Sequence, residues 1–261
     1  MPKVEVNGSR FFYALSGVPD GPVVAFSNSL GTTLEMWQPQ LAALERKFRV
    51  LRYDMRGHGQ SELRDEPCSI AMLGQDVIGL LDTLGMEKVH FCGLSIGGVI
   101  GQWLGANFPQ RLKSLVLCNT AAKIGVAETW NKRIADVGEG GMAPITEAAL
   151  QRWFTAPFSL RHPDAVAPFR AMLLANDPRG YALLCGAIRD MDQRAMVQGI
   201  LLPTCVIAGE HDPVTTVADA EFLQSKIAGA TLVPLAAAHI SNVEAAEAFN
   251  TALLGFLGDS D

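Results

Sequence analysis

Hydrophobic positions recur with a period of two in some stretches and near 3.6 in others, and the two regimes take turns along the chain. Residues 4–6 and 11–14 are short alternating runs on either side of Asn7-Gly8, a dipeptide suited to a hairpin turn with positive φ. Residues 22–26 (Pro-Val-Val-Ala-Phe) predict a buried strand, and residues 48–53 the next. Between them, residues 37–47 predict a helix with Leu41 and Leu44 on one face. Over 69–84, Leu73, Val77, Leu80, Leu81 and Leu84 form one stripe, which Gly85 ends. Residues 89–92 and 114–118 predict two more strands, separated by a Gly-rich turn and a helix through Gln102, Trp103 and Leu104.

The rhythm then changes. From 121 to 197 the pattern is helical, with breaks at Gly138, Gly140, Gly141, Pro144, Pro157, Pro163 and Pro178, and no buried strand. Residues 204–208 and 231–235 restore the strand pattern, with helices predicted over 217–227 and 243–257. Repeated βα units imply an α/β fold with a mostly parallel central sheet flanked by helices. The expected organisation is a core of residues 1–120 and 198–261 and an inserted helical cap, or lid, of residues 121–197. An insertion after one strand should lie over the carboxyl edge, where open α/β sheets bind ligands.

Composition narrows the classes. With 261 residues, 49% of them hydrophobic, the chain buries a sizeable core without metals or disulfides. The net charge of −6 and the lack of a basic block argue against nucleic acid and anionic membranes as partners. No apolar run approaches the ~20 residues of a membrane span. The first residues have no apolar signal core and place an acid at Glu5, so a cytoplasmic protein is expected. Cys68, Cys92, Cys118, Cys185 and Cys205 contain no Cys-x-x-Cys pair and are expected as buried reduced thiols. Residues 121–198 hold nine Lys/Arg and eight Asp/Glu, net +1, which leaves −7 elsewhere. A relatively basic lid over an acidic body suits an anionic substrate, although scattered solvated arginines would give the same count.

One string carries chemistry. Gly93-Leu-Ser95-Ile-Gly97 has the form Gly-x-Ser-x-Gly, follows a predicted strand directly and opens a predicted helix. A serine on so sharp a turn sits at strained backbone angles, and the glycines remove side chains that would clash. Its hydroxyl projects at a helix N-terminus, where the Ile96 N–H meets a developing oxyanion. No Gly-Lys-Ser/Thr follows, so a phosphate-binding loop is disfavoured.

A serine hydroxyl needs a base, and the base needs a group to orient its ring. His90 lies mid-strand, His162 beside Pro163 in a loop and His58 in a tight Arg-Gly-His-Gly loop, while His211 directly precedes Asp212. His239 follows the last predicted strand and precedes the final helix, which returns it to the carboxyl edge. Asp212, in Gly209-Glu-His-Asp-Pro213, is the favoured orienting acid, and Glu210 competes with it.

The order Ser95, Asp212, His239 resembles that of the α/β-hydrolase family, and the resemblance covers nearly the whole chain. Residues 53–61, Tyr-Asp-Met-Arg-Gly-His-Gly-Gln-Ser, are similar to the family's Asp-x-Arg-Gly-x-Gly-x-Ser loop. The His-Gly that many members carry after the early strand is replaced here by Ser27-Asn-Ser-Leu30-Gly31, which makes the Leu30 N–H the second oxyanion donor by position. The string Asn-Ser-Leu-Gly-x-x-x-x-Met36-Trp37 is similar to 3-oxoadipate enol-lactonases of aromatic-ring catabolism, as is a lid containing Trp130. The resemblance implies a small carboxylated lactone as substrate and no metal or organic cofactor. Trp130 and Arg133, one helical turn apart, are the expected substrate-binding pair, with Arg152, Trp153 and Arg189 as further candidates. A general carboxylesterase, a carbon–carbon bond hydrolase on the same triad, and a ligand receptor with a retained hydrolase pocket remain open at this point.

Overall fold

The computed structural model describes residues 2–64 and 66–258. They form one eight-stranded sheet, and its order follows from the crossovers. The strands are β1 (Lys3–Val6), β2 (Ser9–Gly17), β3 (Val23–Ser27), β4 (Arg49–Tyr53), β5 (Val89–Leu94), β6 (Leu112–Cys118), β7 (Thr204–Gly209) and β8 (Thr231–Leu235). They lie in the order β1-β2-β4-β3-β5-β6-β7-β8. β1 and β2 form an antiparallel hairpin through Asn7 and Gly8, both at positive φ (52° and 72°), as a two-residue turn between twisted strands requires. β2 pairs antiparallel with β4, and every pairing from β4 to β8 is parallel. The central strands are buried along their whole length, as expected when helices cover both faces. Pro234, which has no N–H for a ladder, lies in β8 at the edge of the sheet.

The helices around the sheet are α1 (Gln38–Leu44), α2 (Ile70–Thr83), α3 (Ile96–Asn107), α9 (Val217–Lys226), α10 (Ser241–Glu244) and α11 (Ala246–Gly258). α2 starts where its sequence allows a cap: the Ser69 hydroxyl accepts the Met72 N–H. Thr216 and Asp219 make a reciprocal capping box at the start of α9. Between β6 and β7 the chain, all of it described, folds as α4 (Ala127–Gly140), α5 (Ala143–Trp153), α6 (Ala156–Arg161), α7 (Pro163–Ala175) and α8 (Pro178–Asp190). Among the described residues no helix is long and apolar enough to cross a membrane.

Two expectations change at their edges. Residues 37–47 begin as a 3-10 turn at Leu34–Trp37, and the α-helix proper starts after the fully buried Trp37. Residues 243–257 form two helices, because Ala245 leaves the helical region (φ −121°, ψ 45°). The short α10 is turned so that its side chains serve neighbouring loops: Asn242 donates to the Met36 carbonyl at 2.8 Å, and Glu244 accepts the Ala238 N–H at 3.0 Å. Cys92, Cys118, Cys185 and Cys205 are buried thiols, while Cys68 is half-buried.

Candidate active site

β5 delivers Ser95 at its carboxyl end, on a turn with φ 58° and ψ −117°. Such angles strain a residue with a side chain. The neighbours make the turn possible. A Cβ on Gly93 would stand 2.1 Å from the Gly97 carbonyl oxygen, and a Cβ on Gly97 would stand 2.2 Å from that of Ser27. Both obstacles are backbone, so no side chain fits at either position. The Ser95 N–H donates to the Cys118 carbonyl at 3.0 Å, which ties the turn to β6.

The acid lies on the loop after β7. Asp212 Oδ1 accepts the N–H groups of Val214 (2.7 Å) and Thr215 (3.2 Å). Its Oδ2 accepts from Thr215 Oγ1 (2.7 Å), Asn119 Nδ2 (3.0 Å) and His239 Nδ1 (2.7 Å). Burial pushes this carboxyl up, but the neighbouring His239 and the hydrogen bonds from His239, Asn119 and Thr215 together hold it below the usual carboxylate value. Asp212 is therefore an anion wherever the protein is folded near neutrality. Glu210, the competing carboxylate, is exposed, and the His239 ring bonds to Asp212 instead. The histidine loop is pinned to the acid loop, with His211 N–H donating to the Ala237 carbonyl at 3.0 Å, and to the insertion, with Ile240 N–H donating to the Trp153 carbonyl at 2.9 Å.

The loop after β3 completes the wall. Asn28 Nδ2 donates to the Tyr53 carbonyl at 2.8 Å, and Trp37 Nε1 donates to Asn28 Oδ1 at 2.9 Å. The sulfur of Met36 accepts the Ser29 N–H at 3.3 Å and the Thr32 hydroxyl at 3.0 Å. Among the described residues neither the Leu30 N–H nor the Ile96 N–H meets a protein acceptor. Asp54 steadies the same loop from below by accepting the Leu34 N–H at 2.8 Å.

Ser95, His239, Ser29 and Leu30 line one enclosed cavity of about 30 Å³ with Trp130, Arg133, Arg152, Trp153 and Tyr181 from the insertion. Both members of the expected substrate pair are thus at the site. Trp130 also anchors locally, its Nε1 donating to the Ile124 carbonyl at 2.8 Å, and the Arg133 guanidinium lies 5.0 Å from its ring centroid. Arg152 and Trp153 join them. Arg189 does not: it sits outside, bound to Asp190 and Asn131. Neither Arg133 nor Arg152 forms an ion pair with any described residue. Burial, and then the charge of Arg133, pull the Arg152 guanidinium below its ordinary value, with Tyr181 working the other way. Two like charges on an enclosed wall call for an anion between them.

The remaining histidines are placed elsewhere. His90 is buried against Ser114 (2.8 Å), His162 and His211 are exposed, and His58 is buried against Tyr181 with ring centroids 6.4 Å apart. Burial pulls His58 down to about 4, so its ring is neutral. Sequence reasoning missed Asn119, Thr215, Asn28 and the role of Met36. Asn119 stands directly after a strand at the carboxyl edge, and that position was the available signal.

The chain is similar to known proteins over most of its length. A family described as the alpha/beta hydrolase fold matches residues 22–246. The 3-oxoadipate enol-lactonase 2 of Acinetobacter baylyi is 47% identical over 92% of this chain and 90% of its own length. The 3-oxoadipate enol-lactonase 1 of the same organism is 41% identical, over 96% and 94%. The crystal structure of the enol-lactonase from Burkholderia xenovorans superposes with a TM-score of 0.97 at 45% identity, covering 98% of this chain and 100% of that one.

Proposed function

This chain belongs to the α/β-hydrolase family, and from that premise we propose that it hydrolyses 3-oxoadipate enol-lactone to 3-oxoadipate. One observation carries the reading beyond the likeness to enol-lactonases: a single cavity has Ser95 and His239 on its sheet side and two uncompensated guanidinium groups, Arg133 and Arg152, on the other. That polarity suits a small molecule with an acyl carbon at one end and a carboxylate at the other. A five-membered lactone bearing a carboxylate arm has this form. The insertion 121–197 acts as the cap that selects it, over a core of residues 1–120 and 198–261.

Ser95 Oγ attacks the ring carbonyl carbon, and its proton passes to His239. Asp212 holds the imidazole in the tautomer that can accept this proton and steadies the imidazolium that results. The N–H groups of Leu30 and Ile96 take the developing oxyanion. The tetrahedral adduct collapses, the bond from the acyl carbon to the ring oxygen breaks, and the released enolate takes the proton that His239 received from Ser95, becoming a ketone and leaving the imidazole neutral. Water, giving its proton to His239, then attacks the acyl-enzyme and frees the second carboxylate and Ser95. Throughout, Arg133 and Arg152 hold the substrate's own carboxylate, and Trp130 and Trp153 form apolar walls around the ring.

The test is a kinetic panel of carboxylated enol-lactones against neutral lactones and aryl esters, with Ser95→Ala as control. Carboxylated enol-lactone is expected to lead in kcat/KM by roughly a hundredfold, the worth of one or two charge-assisted hydrogen bonds. Ser95→Ala should abolish measurable turnover. Equal turnover of neutral aryl esters would make the protein a general carboxylesterase, and an active Ser95→Ala would remove the serine mechanism.

A further inference from the structure

The tip of β6 touches both halves of the site. Asn119 follows the strand directly, is 1% exposed and stands at φ 43°. Its N–H donates to the Ile207 carbonyl of β7 at 2.8 Å. Its Nδ2 donates both to Asp212 Oδ2 (3.0 Å) and to the Ala238 carbonyl (3.2 Å), and its Oδ1 accepts from Ser241 Oγ at 2.5 Å. One side chain thus grips the acid and both flanks of His239. Gly209 makes room for it: a Cβ there would come within 2.9 Å of Asn119 Nδ2 and 2.4 Å of the Ala238 oxygen. The next residue faces the other way. Thr120 Oγ1 donates to the Ser95 carbonyl at 2.7 Å. Its side chain fills the space where a Cβ on Gly98 would stand, at 2.6 Å.

We infer that Asn119 and Thr120 are positioning residues for the hydrolysis, a strut that sets the nucleophile against the acid–base pair. The inference rests on the triad reading above. Three demands meet at position 119, and asparagine answers all of them. The backbone needs a residue that tolerates positive φ, as asparagine does. The acid and the Ala238 carbonyl need a donor, which aspartate lacks. The Ser241 hydroxyl needs an acceptor, which an apolar side chain lacks. Because β6 is a central strand, its tip is rigid, and the gap between Ser95 and His239 is fixed by one element rather than by three independent loops.

Asn119 also shares the charge on Asp212 Oδ2, the oxygen that receives His239 Nδ1. Removing the donor leaves that charge free to hold an imidazolium more tightly. The other charged or titratable groups around the pair are Arg133, Arg152 and Tyr181 across the cavity, Glu244 behind Ala238, and the exposed Glu210 and His211 on the acid loop. None of them donates to Asp212, so without Asn119 the Thr215 hydroxyl is the donor left beside His239 on Oδ2.

The experiment uses Asn119→Gly, which keeps the positive φ at no steric cost, and Thr120→Val, which keeps the shape. Turnover of enol-lactone is followed across pH. In parallel, an aryl phosphonate is used to modify Ser95: Oγ bonds to phosphorus, the phosphorus–aryloxide bond breaks, the serine proton passes to His239 and the aryloxide leaves. Asn119→Gly should lower kcat roughly tenfold to a hundredfold, the scale of one hydrogen bond to a charged group, with KM within about twofold. It should also move the low-pH limb of kcat/KM, and of phosphonylation, to higher pH. Thr120→Val should lower both rates without moving that limb. Wild-type rates in either variant, or a loss in Asn119→Gly with an unmoved limb in a protein of unchanged melting temperature, would overturn the inference. A wild-type protein that is not phosphonylated at Ser95 would overturn the triad reading itself, and the strut with it. Phosphonylation without lactone turnover would change the substrate and leave the strut test to the phosphonate arm.

Discussion

The sulfur of Met36 accepts the backbone N–H of Ser29 at 3.3 Å, seven residues upstream. The same sulfur takes the Thr32 hydroxyl, while Asn28 is held by Trp37. This explains the spacing of Asn28, Ser29, Met36 and Trp37: the second pair supplies the partners that the first pair needs, and the Leu30 N–H is left without a protein acceptor among the described residues, on a loop that lines the cavity. Met36→Leu keeps the volume and removes the acceptor. Stability should change by less than ~1.5 kcal/mol. kcat should fall about fivefold with KM unchanged, since the loss is of oxyanion geometry worth roughly 1 kcal/mol. Steady-state kinetics beside a thermal melt separate the two effects.

Arg133→Met and Arg152→Met remove one guanidinium each from the cavity wall. Each should raise KM for carboxylated enol-lactone by roughly tenfold or more and leave a neutral aryl ester almost unaffected. An Arg133→Met variant with unchanged KM for the lactone would leave Arg152 as the sole carboxylate ligand.

Asp212→Asn preserves the shape of the acid but inverts the hydrogen-bond logic at His239 Nδ1, which would then meet a neutral amide. The expected loss in kcat is on the order of 10⁴, with KM close to wild type. Because its neighbours hold Asp212 below the ordinary carboxylate value, the carboxylate persists well into acid. Activity lost on mild acidification should therefore not come from protonation of Asp212.

His58 makes stability depend on pH. Its folded value of about 4 lies below the ordinary 6.5, so the fold favours the neutral ring. The contribution is complete above pH 6.5. Below that the unfolded chain takes up a proton that the folded chain refuses, and stability is lost progressively as pH falls toward 4. The change is roughly 3 kcal/mol at most. Urea midpoints measured at pH 7 and pH 5 should differ in the wild type, and the difference should shrink in His58→Gln.

Local patterns carried much of the architecture. Strand periodicity, the Gly-x-Ser-x-Gly turn and the strand-end positions of Asp212 and His239 are readable because each depends on residues near one another in sequence. What escaped depends on distance along the chain. Asn119 meets Asp212 93 residues away and Ser241 122 residues away, and no local spacing reports either contact. Arg152 was only one candidate among several, because the phase of α5 against α4 is set by packing of the insertion. The break at Ala245 was invisible for the same reason: Asn242 and Glu244 are drawn to partners in other elements.

A cavity of about 30 Å³ has room for little more than a water molecule. A five-membered ring with an acidic arm is larger than that, and the wall facing Ser95 and His239 is built from Trp130, Arg133, Arg152, Trp153 and Tyr181. On the reading proposed above, admission and chemistry are coupled: the residues that line the way in are the ones that grip the anion, so a molecule lacking the negative group gives them nothing to close upon.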